Sequence, residues 1–325
     1  MSSSSRRPVS RGMRAFLYVA IALTFAAGTQ LVVLAEHTDL YFAWAIDAPM
    51  SAAFIGASFW AASVVLLWAA RQRHWVRARV PVPSVFVVAT LLLIATLQHI
   101  EQFDGLLGAL WTEVYAVVPP LAVALAAMQL FVPGTDPAPR ARLPRGLRIA
   151  LAVHAAVLLV LGALLYLWPG DAGSIWAWAL TPLTAKAIGT WLLGIGTLAA
   201  YVAWRDDRAD VPGASLAYIV LALLLALAAA RFPDDLDFAA AQTWVFLAFV
   251  ATAFAIGGHG ALMSLREGRF SSGLPHGGVP VAVVGPAYRD SSVAVQGGER
   301  LEGVRIDPGG APGGQTTGTK NAKEG

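Results

Sequence analysis

Cysteine is absent from this 325-residue chain, and charge is scarce, with Asp, Glu, Lys and Arg together at 13%. Without thiols there are no disulfides, no Cys-held iron–sulfur or zinc centres, no c-type haem attachment and no thiol nucleophile. Soluble globular chains carry roughly 25% charged residues; half that figure beside 57% hydrophobic residues excludes a water-soluble domain. A net charge of +3 is too small to signal nucleic-acid binding. No phosphate loop, nucleophile elbow, His-Glu-x-x-His or paired catalytic carboxylate motif occurs, so nothing marks an enzyme. Nor is there the period-2 alternation of a transmembrane barrel.

What the chain has is long apolar runs. A bilayer core about 30 Å thick needs about 20 apolar helical residues to cross it. Eight stretches qualify, at residues 14–35, 49–70, 82–100, 114–131, 147–168, 182–204, 214–230 and 239–263. The expected fold is an all-α integral membrane bundle of eight transmembrane helices, with the lipid bilayer as its partner. The first run follows Arg6, Arg7, Arg11 and Arg14 but is as long as a full span, so it reads as an uncleaved span and not a signal peptide.

Bases are retained in the cytoplasm near span ends. Arginines cluster before span one and after spans two, four, six and eight, whereas the alternate loops hold Lys186 and Arg231 against ten carboxylates between Glu36 and Asp237. Both termini are therefore expected in the cytoplasm. From residue 266 the apolar pattern ends in a Gly/Pro-rich stretch expected to be disordered, in which 279–285 is a minor candidate for an edge strand on a partner.

The halves match each other at a nearly fixed offset. Phe42 to Ile46 lies over Trp176 to Leu180, Pro49 to Gly56 over Pro182 to Gly189, Asp104 over Asp237, and Trp111 over Trp244. Four spans per unit make the two repeats parallel, related by an axis along the membrane normal. Residues 14–131 and 147–265 form the repeats, with 1–13, 132–146 and 266–325 as tail, linker and tail. Ala52 with Gly56, and Ala185 with Gly189, stand four apart and permit close helix approach.

The string FAWAIDAPMSAAFIGA at 42–57, followed by HIEQFD at 99–104 and the Trp111 to Pro120 segment, resembles an uncharacterised family of bacterial, largely actinobacterial, polytopic membrane proteins. That resemblance implies the multi-pass fold and brings no activity, cofactor or site residue. Arg far above Lys, with abundant Ala, fits a GC-rich bacterial genome.

Ionisable groups at span edges are the functional candidates. Lys186, one turn inside span six, either binds an anion, pairs with Asp47 or Glu113, or snorkels to the interface. Asp47 and Thr181 precede Pro49 and Pro182, with Ser51 and Thr184 in the first turns; they either cap two helices or line an anion-attracting pocket between the halves. His99 and Glu101, near Asp104, His37 and Asp39, make either a metal site or a solvated acidic rim. Glu113 sits in an aromatic belt or faces the bundle, and Pro119 and Pro120 are expected to kink span four. His154 reads as a buried histidine bonded to a neighbouring helix, with haem ligation alongside His259 as a weaker alternative. Three functions stay open: transport of a small molecule or ion between the halves, gated by Lys186, Asp47 and Glu113, which is slightly ahead; a non-transporting scaffold, sensor or accessory subunit; and, behind both because catalytic spacing is absent, a membrane-embedded enzyme acting on lipid through His99 and Glu101. No cofactor is implied.

Overall fold

The computed structural model describes residues 6–138, 141–171 and 174–268; these are helical without a strand, apart from isolated bridges between Arg6 and Thr135 and between Pro8 and His74. The proposed strand at 279–285 lies outside them. The helices are α1 (Arg11–Val33), α2 (Thr38–Tyr41), α3 (Pro49–Ala70), α4 (Trp75–Ala78), α5 (Val82–Gln98), α6 (Gly105–Leu130), α7 (Arg145–Leu167), α8 (Pro182–Arg205), α9 (Val211–Arg231) and α10 (Ala241–Arg266). Seven of them are long and apolar enough to cross a membrane, as a multi-pass membrane protein requires. The expected third span is different: α5 is apolar but has only 17 residues. Its helix stops at Gln98, and a single 3-10 turn at Ile100–Gln102 follows.

Starts and stops follow local chemistry. Ser10 caps α1 by accepting the Met13 N–H, Thr181 caps α8 by accepting that of Thr184, and Pro49 and Pro182 occupy first-turn positions where a missing N–H costs nothing. The fourth expected span begins nine residues too late. Helix α6 starts at Gly105, whose φ of +70° sets the turn after Asp104, and it runs unbroken through Pro119 and Pro120. Trp111 and Glu113 therefore lie within the helix instead of at its mouth.

Helices α3 and α8 form the centre, buried over most of their length, while α1, α6, α7 and α10 turn large apolar side chains outward: Leu106, Val117, Val153, Val160 and Val245 are all more than half exposed. Such a surface suits a hydrocarbon environment. Helix α1 packs on α3, α7 on α8, α3 on α9, α8 on α5, and α10 on α9. Three of these contacts bring backbones together, one of them at Gly257 of α10, where a Cβ would stand 2.9 Å from the Ser215 carbonyl oxygen on α9. A Cβ on Gly28 would stand 3.0 Å from the Gly56 carbonyl oxygen, and one on Gly162 would stand 2.7 Å from that of Gly189.

Ion pairs bind one end of the bundle. Asp136 meets Arg79 at 3.1 Å, Asp206 meets Arg148 at 3.3 Å, Asp210 meets Arg205 at 3.1 Å and Glu267 meets Arg208 at 2.7 Å. They tie the loop after α3, the linker after α6, and the facing ends of α7, α8, α9 and α10 into one Arg-rich end. There, burial and then the neighbouring Arg6, Arg77 and Arg73 push His74 below its ordinary pKa. At the opposite, acidic end the one pairing arginine is Arg231. It donates to the carbonyls of Val32 and Val33 at the end of α1 and pairs with Glu36 at 3.1 Å, closing a helix terminus that lacks its own partners.

The glycine crossings generate a direct test. Replacing Gly189 with Ala sets a Cβ against backbone atoms at 2.7 and 2.9 Å and is expected to destabilise by about 1–3 kcal/mol. Gly146→Ala meets nothing within 4 Å and is expected to leave the midpoint essentially unchanged. Thermal unfolding of the two variants in detergent checks this, and equal midpoints would remove the crossing from the account.

Candidate functional site

The acidic end brings the first turns of α3 and α8 side by side. Asp47, Ser51, Thr181, Thr184 and Asp235 line a recess of about 360 Å³ between them. The expected pair of caps is half present. Thr181 caps α8, but the residue before α3 is Ala48, which makes no side-chain cap. Asp235, from the turn preceding α10, takes that role with Oδ2 accepting the Met50 N–H at 2.8 Å. A carboxylate satisfies the free N–H and the positive end of the helix dipole together, so the recess has already neutralised one of its two anion-attracting termini.

Beneath the recess the seam is closed. The Trp178 indole N–H donates to Ser51 Oγ at 2.7 Å, the Phe54 ring meets Trp176 and Trp178 edge-on or tilted, and Met50, Phe54, Ile55 and Ile188 have no exposed surface. Farther along, a Cβ on Gly194 would collide with Val88 across α8 and α5. No polar path continues from the recess among the residues that line it.

The remaining candidates lie elsewhere. Lys186 pairs with neither Asp47 nor Glu113: Nζ donates to Gln98 Oε1 at 2.8 Å and stands 4.9 Å over the Tyr166 ring. A flexible ammonium thus holds the ends of α5 and α8 together. Glu113 is exposed on α6, away from the stripe formed by Gly108, Trp111 and Tyr115. His99 follows the last residue of α5 and engages the Ala95 carbonyl through Nδ1, at 3.1 Å, while Glu101 sits exposed in the 3-10 turn. Among the described residues no group of three or more His, Asp or Glu is placed to hold a metal ion. His154 on α7 bonds Tyr218 Oη on α9 at 3.1 Å and stacks on Phe249 of α10; His259 is exposed on α10.

A second feature was not legible in the sequence. Helices α1 and α6 are pinned together at the Arg-rich end, where Gln129 donates to the Pro8 carbonyl at 2.7 Å and accepts the Ser10 N–H at 2.9 Å. Toward the acidic end they separate around an apolar cavity of about 280 Å³, backed by Phe59, Val88, Trp191, Leu198 and Leu221. The serine and threonine hydroxyls on its wall are spent internally: Thr24 on Ser63 and the α1 backbone, Ser58 on Phe54, Ser84 on Gly194.

Compared with protein-family models, curated proteins and solved structures, the chain finds no match. Its chemistry is read from its own geometry.

The residue missed by sequence reasoning is Asp235, because an acidic pair in a polar turn looks like rim charge until the fold sets it against α3. Asp235→Ala is expected to cost about 1 kcal/mol, the loss of one helix cap, whereas Asp235→Asn keeps an acceptor and most of the stability. Unfolding midpoints of the two variants check the order, and Asp47→Ala is expected to change little.

Proposed function

We propose that the chain is an integral protein of the cell membrane with eight spans, α5 being the short one, built as two parallel four-helix units and serving as a non-conducting scaffold, sensor or accessory subunit. The observation that carries the functional half of this reading is the closed, dry seam below Ser51 and Thr184. A solute path between the halves needs polar groups continuing inward from the recess, and here Trp178, Phe54 and Ile188 close the seam within the first two turns of α3 and α8. Transport through a route gated by Lys186, Asp47 and Glu113 is the less favoured alternative, since the three do not converge.

The duplication is supported by matching crossings. Gly28 stands to Gly56 as Gly162 stands to Gly189, and α3 packs on α9 as α8 packs on α5. Trp44 meets Trp111 of α6 and Trp178 meets Phe246 of α10. In that register Phe246, not Trp244, answers Trp111; Trp244 is 59% exposed and Trp111 buried. The glycine crossings likewise make Ala20 the repeat counterpart of His154. The resemblance to an uncharacterised bacterial membrane family belongs to the same proposal.

Orientation follows from the bases, with the Arg-rich end held in the cytoplasm. Because the chain has no cysteine, single introduced thiols are unique reporters. A membrane-impermeant maleimide applied to intact cells is expected to label Asp171→Cys and to spare Arg142→Cys until the cells are opened; the reverse pattern would invert the topology. Proteoliposomes assayed with sugars, amino acids and monovalent ions are expected to match protein-free vesicles, and a flux abolished by Ser51→Trp would replace the scaffold reading with transport.

A further inference from the structure

We infer that the cavity between α1 and α6 is a binding site for one hydrocarbon chain of a bilayer lipid, entering sideways from the membrane. This goes beyond the scaffold reading and needs only that the apolar helices lie in a bilayer.

The mouth faces hydrocarbon. Leu23 on α1 and Leu107 and Leu110 on α6 flank it, each at least 38% exposed. From Leu107 to Val118 the wall covers about 16 Å of α6 at 1.5 Å per residue, close to the half-thickness of a bilayer core about 30 Å across. The back wall, on α3, α5, α8 and α9, slopes on toward Pro81, Leu66 and Leu198, nearer the Arg-rich end. The shape is that of a slot along the membrane normal, open on one long side.

Chemistry selects the occupant. No charged side chain lines the slot, and the hydroxyls of Thr24, Ser58 and Ser84 are bonded to protein. An anionic headgroup has no cationic partner within; apart from Gln30, Tyr41, Tyr115 and the Trp191 indole N–H, the wall matches a methylene chain. The corresponding seam between α7 and α10 shows what kind of material belongs there. There His154 stacks on Phe249 at 5.3 Å, and Leu158 and Leu161 face inward, whereas α1 offers Ala20, Thr24 and Ala27. Apolar side chains fill one seam; small residues leave the other for a chain that the protein does not itself supply.

The test uses the full chain in liposomes with two probes, a phosphatidylglycerol carrying a diazirine midway along one acyl chain and the corresponding free diazirine fatty acid. Irradiation and peptide mapping are expected to place phosphatidylglycerol adducts on the back wall, at Phe59, Trp191 or Leu198, above those on the outward residues Val153 and Val160. Adducts from the fatty acid alone would keep the site and assign it to free acids. The double variant Ala20→Phe, Ala27→Phe is expected to reduce back-wall adducts about tenfold while outward adducts persist. Should that variant not fold, the wild-type map decides by itself. Adducts confined to outward faces, back-wall adducts unchanged in a folded double variant, or a co-purifying membrane helix crosslinked into the slot in place of lipid would overturn the inference. None of these results depends on whether solute flux is found, so the two proposals fail separately.

Discussion

Backbone approach at the glycine crossings of α1 with α3 and of α7 with α8 sets the geometry from which the rest follows. Lipid tails are as apolar as leucine, so helices in a bilayer gain little from hiding apolar surface against one another and depend on close van der Waals contact. Gly28 against Gly56 and Gly162 against Gly189 supply that contact, drawing α1 onto α3 and α7 onto α8. Helices α3 and α8 then have their other flanks free for α9 and α5, and the two central helices become buried nearly all round.

Burial of α3 and α8 explains both the recess and the dry seam. Their first turns must end side by side at the acidic face, where unbonded N–H groups need acceptors, and these come from Thr181 locally and from Asp235 across the fold. Below that level the same closeness leaves room only for interlocked rings and small residues. Between α3 and α8 the polar side chains of the recess give way to Phe54, Ile55 and Ile188 within two turns.

Outer helices obey a looser constraint. Each touches the centre along one stripe, and its separation from the next outer helix depends on the side chains between them. His154 and Phe249 bridge α7 and α10; small residues on α1 let α6 swing away, hinged at Gln129. The contact between α7 and α10 and the space between α1 and α6 thus differ in the side chains that fill them.

Composition and periodicity were enough to determine a helical membrane bundle, the positions of most spans, the Arg-rich and acidic ends, and the close-approach role of Gly56 and Gly189, because solvation by lipid acts on each residue through its own polarity and its place on a helix. Boundaries failed where a turn residue decided them, as at Gly105, and where an apolar run was longer than its helix, as at α5. Only the tertiary structure set Asp235 on the Met50 N–H, gave Lys186 to Gln98 in place of Asp47 or Glu113, put Tyr218 beside His154, and opened the space between α1 and α6. Those outcomes depend on distances between segments remote in the chain, and such distances are fixed by side-chain volume at helix crossings, which no run of residues reveals until its neighbour is known.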